Sequence, residues 1–120
     1  MPPNSLSLTA ASTLRRLADA GTVRLTELAF LEGVTQPAMT QLVSRLEKER
    51  LAERVKDASD GRVVLIRITD TGRHALQARR TARADRLHEL LAALPDADRE
   101  AIEAALPALD RLIEMGSATL

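Results

Sequence analysis

The side chains best suited to recognising a partner lie in two stretches of this 120-residue chain. In the first, Thr35, Gln36, Thr40, Gln41, Ser44 and Arg45 are short or mid-length donors and acceptors. Such groups hydrogen-bond to base edges and phosphates, and Ser44 and Arg45, further along, suit phosphates better than bases. Pro37 and Ala38 are small and apolar, of the kind that packs on a thymine methyl. The second stretch is Asp57-Ala58-Ser59-Asp60-Gly61-Arg62. Asp60 stands two residues before Arg62, and in extended backbone the two point to the same side. Asp60 could therefore orient the guanidinium by charge-assisted hydrogen bonding. An oriented arginine at a hairpin tip suits the negative potential of a narrow minor groove. Lys56 and Arg54, just upstream, could add phosphate contacts, and ordinary solvated charge explains them equally well.

Each stretch needs an element to hold it. Residues 35–47 read as one amphipathic helix, with Met39, Leu42, Val43 and Leu46 on its apolar side at helical spacing. Thr35 can cap it, Pro37 fits the first turn, and it extends to about Arg50. Upstream, Thr9 is predicted to cap a helix over 10–20, with Leu14, Leu17 and Ala18 inward and Gly21 as its stop. Val23-Arg24-Leu25 is a short extended piece. Thr26 is predicted to cap a second helix over 27–32, with Leu28, Ala29 and Leu31 inward, before a turn at Gly33 and a core plug at Val34. Downstream, Leu51–Lys56, with Leu51 and Val55 inward, and the β-branched run Arg62–Thr69 flank the polar turn and predict a hairpin. A helix-turn-helix followed at once by a hairpin is a winged helix.

Thr69-Asp70-Thr71-Gly72 ends the second strand and opens a long helix over 73–94. A last helix follows over 98–115, with Asp96 as a cap and Gly116-Ser117 as its end. Pro107 predicts a kink or break near Leu106. The expected division is an irregular arm at 1–8, a winged helix-turn-helix lobe at 9–70, dimerisation helices at 71–116 and a tail at 117–120. The fold class is mainly α with a small β-hairpin wing. The C-terminal helices are too long and too rich in Leu and Ala to be explained by packing on a small lobe. Dimerisation explains them, and a dimer presents two recognition helices to a two-fold operator.

Composition narrows the function further. Formal net charge is zero, but residues 95–120 carry six acidic and two basic side chains while 71–94 carry five basic and two acidic. The acidic end masks basic character elsewhere, and no strong basic stripe stands out. Phe30 is the single aromatic residue, which argues against single-strand binding by base stacking. Cysteine is absent, which excludes disulfides, thiol redox sensing and the thiolate ligands of common structural zinc sites. His74 and His88 stand fourteen residues apart, a weak metal signal. No metal or other cofactor is expected. With no nucleophile–base pair, phosphate-cradling glycine loop or carboxylate dyad, an enzyme is not expected. No signal peptide and no apolar run of transmembrane length are seen, so a soluble cytoplasmic chain with no membrane partner is expected.

Leu25-Thr26-Glu27-Leu28-Ala29, then Gly33 to Thr40, then Leu42-Val43-Ser44-Arg45-Leu46-Glu47 resemble the helix-turn-helix of MarR-type regulators. The Asp-x-Arg wing at Asp60–Arg62 and the exit through Ile68-Thr69-Asp70-Thr71-Gly72 resemble that family's wing and strand-to-helix junction. The resemblance covers about residues 6–115. It implies a homodimeric winged-helix transcription regulator, commonly a repressor, that binds a palindromic operator in double-stranded DNA. It implies release by a small, often aromatic or phenolic, effector held between the dimerisation helices and the DNA-binding lobe. By motif position it places Thr35, Gln36, Pro37, Ala38, Thr40, Gln41, Ser44 and Arg45 at the major groove, and Arg62, oriented by Asp60, in the minor groove. Family members usually carry a further helix before the region that matches Leu6, where this sequence has Met1–Ser5. The alternative from a different class is a winged-helix protein-interaction module with weak or no DNA binding, which the near-neutral charge favours.

Overall fold

The computed structural model describes residues 6–119, and its chain divides into two compact units, at residues 1–82 and 83–120. Among the described residues there are five helices and three strands, in the order α1 (Leu8–Ala20), β1 (Thr22–Arg24), α2 (Leu25–Glu32), α3 (Gln36–Lys48), β2 (Ala52–Lys56), β3 (Val64–Ile68), α4 (Asp70–Ala93) and α5 (Asp96–Thr119). The mainly helical class with a small β wing is what the sequence predicts.

The sheet holds a strand more than the hairpin. β3 is central, antiparallel to both neighbours in the order β1-β3-β2, with Val23 opposite Ile66 and Arg54 opposite Ile66 on the other side. The extended piece Val23-Arg24-Leu25 is thus drawn into the wing's base, one residue earlier than expected. Because β1 runs straight into α2, that helix starts at Leu25 with Arg24 at its cap position and no side-chain cap. Thr26 does not cap it. α1 likewise starts earlier than expected. Ser7, not Thr9, accepts the Ala10 N–H at 3.1 Å, and Leu6 packs against the core just before that cap. An apolar residue in that position fixes the angle at which the chain enters a helix.

The core of the first unit gathers Leu14 and Leu17 of α1, Leu28 of α2, Met39, Val43 and Leu46 of α3, Ile66 of β3 and Leu76 of α4. Leu51 is buried as expected. Val55 is only half-buried, and Leu31, predicted inward, is exposed. The turn between α2 and α3 is closed by backbone bonds from Gly33 N–H to Phe30 O and from Val34 N–H to Ala29 O. Gly33 takes φ of 67°, a left-handed conformation that glycine adopts without penalty, and Val34 then packs on the core. From α1, Ser12 and Arg16 both donate to the Glu32 carboxylate, at 2.7 and 2.9 Å, and so tie down the end of α2.

α4 opens three residues before the predicted start. Thr69 Oγ1 accepts the Gly72 N–H at 3.0 Å while its hydroxyl donates to Arg50 O at 2.5 Å. Gly72 is buried here, and a Cβ built on it would lie 2.1 Å from the Leu51 carbonyl oxygen. Only glycine lets the helix start against the Leu51 backbone.

In the second unit, α5 begins at Asp96 and runs without a break through Pro107 to Thr119. The predicted break near Leu106 is absent, and Gly116-Ser117 lies inside the helix instead of ending it. Pro107 leaves the Glu103 carbonyl without its helical donor, but residues 100–117 are all exposed, so that carbonyl can turn to water. No helix of the described residues is long and apolar enough to cross a membrane. Of the expected arm at 1–8, residues 1–5 lie outside the described residues, and Leu8 belongs to α1.

Candidate nucleic-acid interface

Thr35 caps α3 as predicted, its hydroxyl oxygen accepting the Ala38 N–H at 3.2 Å, with Pro37 in the first turn. Such a cap stabilises a helix by about 1 kcal/mol. Met39, Leu42, Val43 and Leu46 are all buried, which turns the opposite face outward. Gln36, Thr40 and Ser44 form one row at four-residue spacing, and Pro37, Gln41 and Arg45 form the adjacent row. All six, with Thr35 and Ala38, are exposed. Arg45 sits at the flank of this face, bordering a crevice that it shares with Leu6, Ser7 and Ala10 at the start of α1.

The wing tip is built from two successive aspartate turns. Asp57 Oδ1 accepts both the Ser59 N–H at 2.8 Å and the Ser59 hydroxyl at 2.7 Å. The hydroxyl, then the backbone N–H, hold the Asp57 carboxyl below its ordinary pKa. Asp60 Oδ1 then accepts the Arg62 backbone N–H at 3.0 Å and its Nε at 3.4 Å. The Asp60–Arg62 pair is therefore present, but for a different reason from the one the sequence suggested. The tip is a turn, not extended strand, because β3 begins only at Val64. The Arg62 side chain is 94% exposed, so the pair orients a guanidinium without hiding it.

Lys56 ends β2 and is exposed. Arg54, two residues earlier, is turned onto α3, where it pairs with Glu47 and donates to Ser44 Oγ at 3.3 Å. That ties the wing to the helix and occupies Ser44, which the sequence offered as a free phosphate ligand. Two residues that the sequence reading did not select, Arg24 and Thr26, line one groove with Gln36 and Arg62. Their position depends on the β1–β3 pairing, and the brief extended run Val23-Arg24-Leu25 was the available signal. Among the described residues no cluster of His, Cys, Asp or Glu could hold a metal ion.

A capped polar helix beside a hairpin with an oriented arginine defines a winged helix-turn-helix protein. The MarR family model matches residues 6–64. The chain is 31% identical over 113 residues to the HTH-type transcriptional regulator Mb0904 of Mycobacterium bovis, covering 94% of this chain and 79% of the relative. Among solved structures, it is similar to a MepR-like protein complexed with pseudoligands (29% identity, TM-score 0.65, covering 92% of this chain and 78% of that one). It also shares its fold with an S. aureus MepR mutant bound to oligodeoxyribonucleotide (22% identity, TM-score 0.71, covering 96% and 80%). The chain belongs to the MarR family, whose members are non-enzymatic, DNA-binding transcriptional regulators.

Proposed function

We propose that this regulator binds a palindromic operator in double-stranded DNA as a homodimer and acts as a repressor. In this reading α3 enters the major groove. Gln36, Thr40 and Gln41 face base edges, Pro37 and Ala38 pack on thymine methyls, and Thr35 and Arg45 hold the backbone, joined by Ser44, whose hydroxyl accepts from Arg54 and still has its own proton to donate. Arg62, oriented by Asp60, enters the neighbouring minor groove, and Lys56 adds a phosphate contact. The observation that carries the reading is the pairing, within one unit, of the exposed polar face of α3 with the Asp60-held guanidinium of the wing.

The second unit supplies the reason for a dimer. Leu87, Leu90, Leu106, Leu109, Leu112 and Ile113 are all exposed in the single chain, on helices that would otherwise present this apolar surface to water. A patch of that kind marks an interaction surface. A second copy would cover it and set two α3 helices at successive turns of the duplex, about 34–36 Å apart. A further element of the proposal is release of the operator by a small aromatic or phenolic effector; the similar MepR-like protein is complexed with pseudoligands, which supports a small-molecule site of some kind.

The experiment is a gel-shift titration on the promoter region beside the protein's own gene, at low salt and with an unrelated duplex as competitor. A discrete complex that resists the competitor is expected. Absence of binding to any genomic fragment contradicts the proposal and leaves the protein-interaction module.

A further inference from the structure

The groove that Arg24 shares with the reading elements lies at the base of the wing, with a volume of about 310 Å³. It is lined by the polar side chains of Arg24, Thr26, Gln36 and Arg62 together with the apolar Leu25 and Val64. Gln36 is the first residue of α3 and Arg62 stands at the wing tip, so the groove opens between the two proposed reading elements. β1 fixes Arg24 there, because Arg24 is paired with Leu65 of the central strand. Its side chain donates no hydrogen bond and forms no ion pair among the described residues. Its charge reaches Asp57, whose carboxylate is already engaged by Ser59. Arg24 is exposed, and no carboxylate among the described residues lines the groove itself.

We propose that this groove seats the sugar–phosphate backbone of the DNA strand that separates the major groove entered by α3 from the minor groove entered by the wing, with Arg24 as its principal phosphate ligand. The inference rests on the operator-binding reading and adds a contact to it. A duplex that takes a helix in one groove and a wing tip in the next must pass a phosphodiester chain between them. On the surface that meets this chain, the Arg24 guanidinium and the Thr26 hydroxyl can donate to phosphate oxygens, flanked by Gln36 and Arg62 as the reading groups on either side. Arg24 and Arg62 then have different duties. Arg24 positions the duplex without regard to sequence, and Arg62 senses the groove beyond it.

The test is fluorescence-anisotropy titration of wild-type, Arg24→Ala, Arg24→Gln and Arg24→Lys proteins against an operator fragment and an unrelated duplex, over a series of salt concentrations. Since Arg24 is exposed, the Ala and Gln variants leave the core intact, and matched circular dichroism spectra confirm it. Loss of one phosphate contact per protomer lowers the slope of log K against log salt by about 0.9 per site. Both neutral variants are expected to show that loss and to weaken operator and unrelated duplex by the same factor, while Arg24→Lys keeps most of the slope. A slope unchanged in both neutral variants, with wild type binding normally, overturns this inference alone, as does a loss confined to the operator. Wild-type protein that binds no duplex at low salt overturns the operator reading and this inference with it.

Discussion

Substituting Gly72 by Ala tests how the lobe is closed. A Cβ at this position would stand 2.1 Å from Leu51 O and 2.7 Å from Ile68 Cγ1. The Ile68 side chain can rotate away, but the Leu51 carbonyl is backbone and already accepts the Thr69 N–H at 3.1 Å. Relief requires α4 and the start of β2 to separate by nearly an ångström, which strains that bond. Overpacking of this kind costs about 1–3 kcal/mol, and backbone against a rigid neighbour puts it at the upper end. Loss of the Thr69 bond adds about 1 kcal/mol. Alanine's better helix propensity returns about 1 kcal/mol. The net loss is about 2–3 kcal/mol, against a total of about 4–12 kcal/mol for a lobe of this size. With a urea dependence near the low end of the usual range, about 1 kcal/mol per molar, the unfolding midpoint should fall by about 2–3 M. Urea titration followed by far-UV circular dichroism measures it. The same change at Gly116, a helical position with nothing within 4 Å of its added Cβ, should leave the midpoint unchanged or raise it. A midpoint that rises with Gly72→Ala refutes the packing argument and leaves helix propensity in charge.

Other perturbations follow from the same geometry. Glu32→Ala strips Ser12 and Arg16 of their shared carboxylate, whose side chain is only 9% exposed. It should cost about 1–2 kcal/mol of stability in urea unfolding, less than a fully buried charged pair because Arg16 is half-open to water. Ser59→Ala should raise the Asp57 pKa toward its ordinary value, seen by carboxyl NMR titration. With the folded pKa depressed, Asp57's contribution to wing stability is present above the unfolded value near 3.9 and is lost as pH falls through the folded one. Wild-type wing signals should therefore persist to a lower pH than those of the variant. Asp60→Ala frees Arg62 and should weaken operator binding by about 1 kcal/mol without shifting the urea midpoint, since an exposed pair contributes little to folding.

How far the fold is legible in the sequence depends on the range of each interaction. α3 is written locally: Thr35, Pro37 and the apolar spacing of Met39, Leu42, Val43 and Leu46 agree on one helix. Gly33 and Val34 spell the turn before it in the same local terms. The Asp60–Arg62 pair is also local, although its turn geometry was not foreseen. What escaped depends on distant partners. Val23-Arg24-Leu25 reads as extended on its own, but its place in the sheet shows only with β3 beside it, and the start of α2 and the place of Arg24 depend on that pairing. Arg54 reads equally as a phosphate ligand or a solvated charge until the fold brings Glu47 and Ser44 within its reach. Gly72 reads as part of the junction where strand gives way to helix, and only the fold brings the Leu51 backbone against it. Pro107 reads as a break, yet nothing buried surrounds it to make the freed carbonyl expensive.

The central claim is that α3 and the wing read DNA together, and the most direct measurement is the operator affinity of the Gln36→Ala, Arg62→Ala double variant by anisotropy. Each side chain is worth about 1–3 kcal/mol if it makes a good base or groove contact. The double variant should lose at least about 2 kcal/mol per protomer, a factor of roughly 30, while retaining much of its affinity for unrelated duplex. Operator binding that survives both substitutions unchanged would contradict the account.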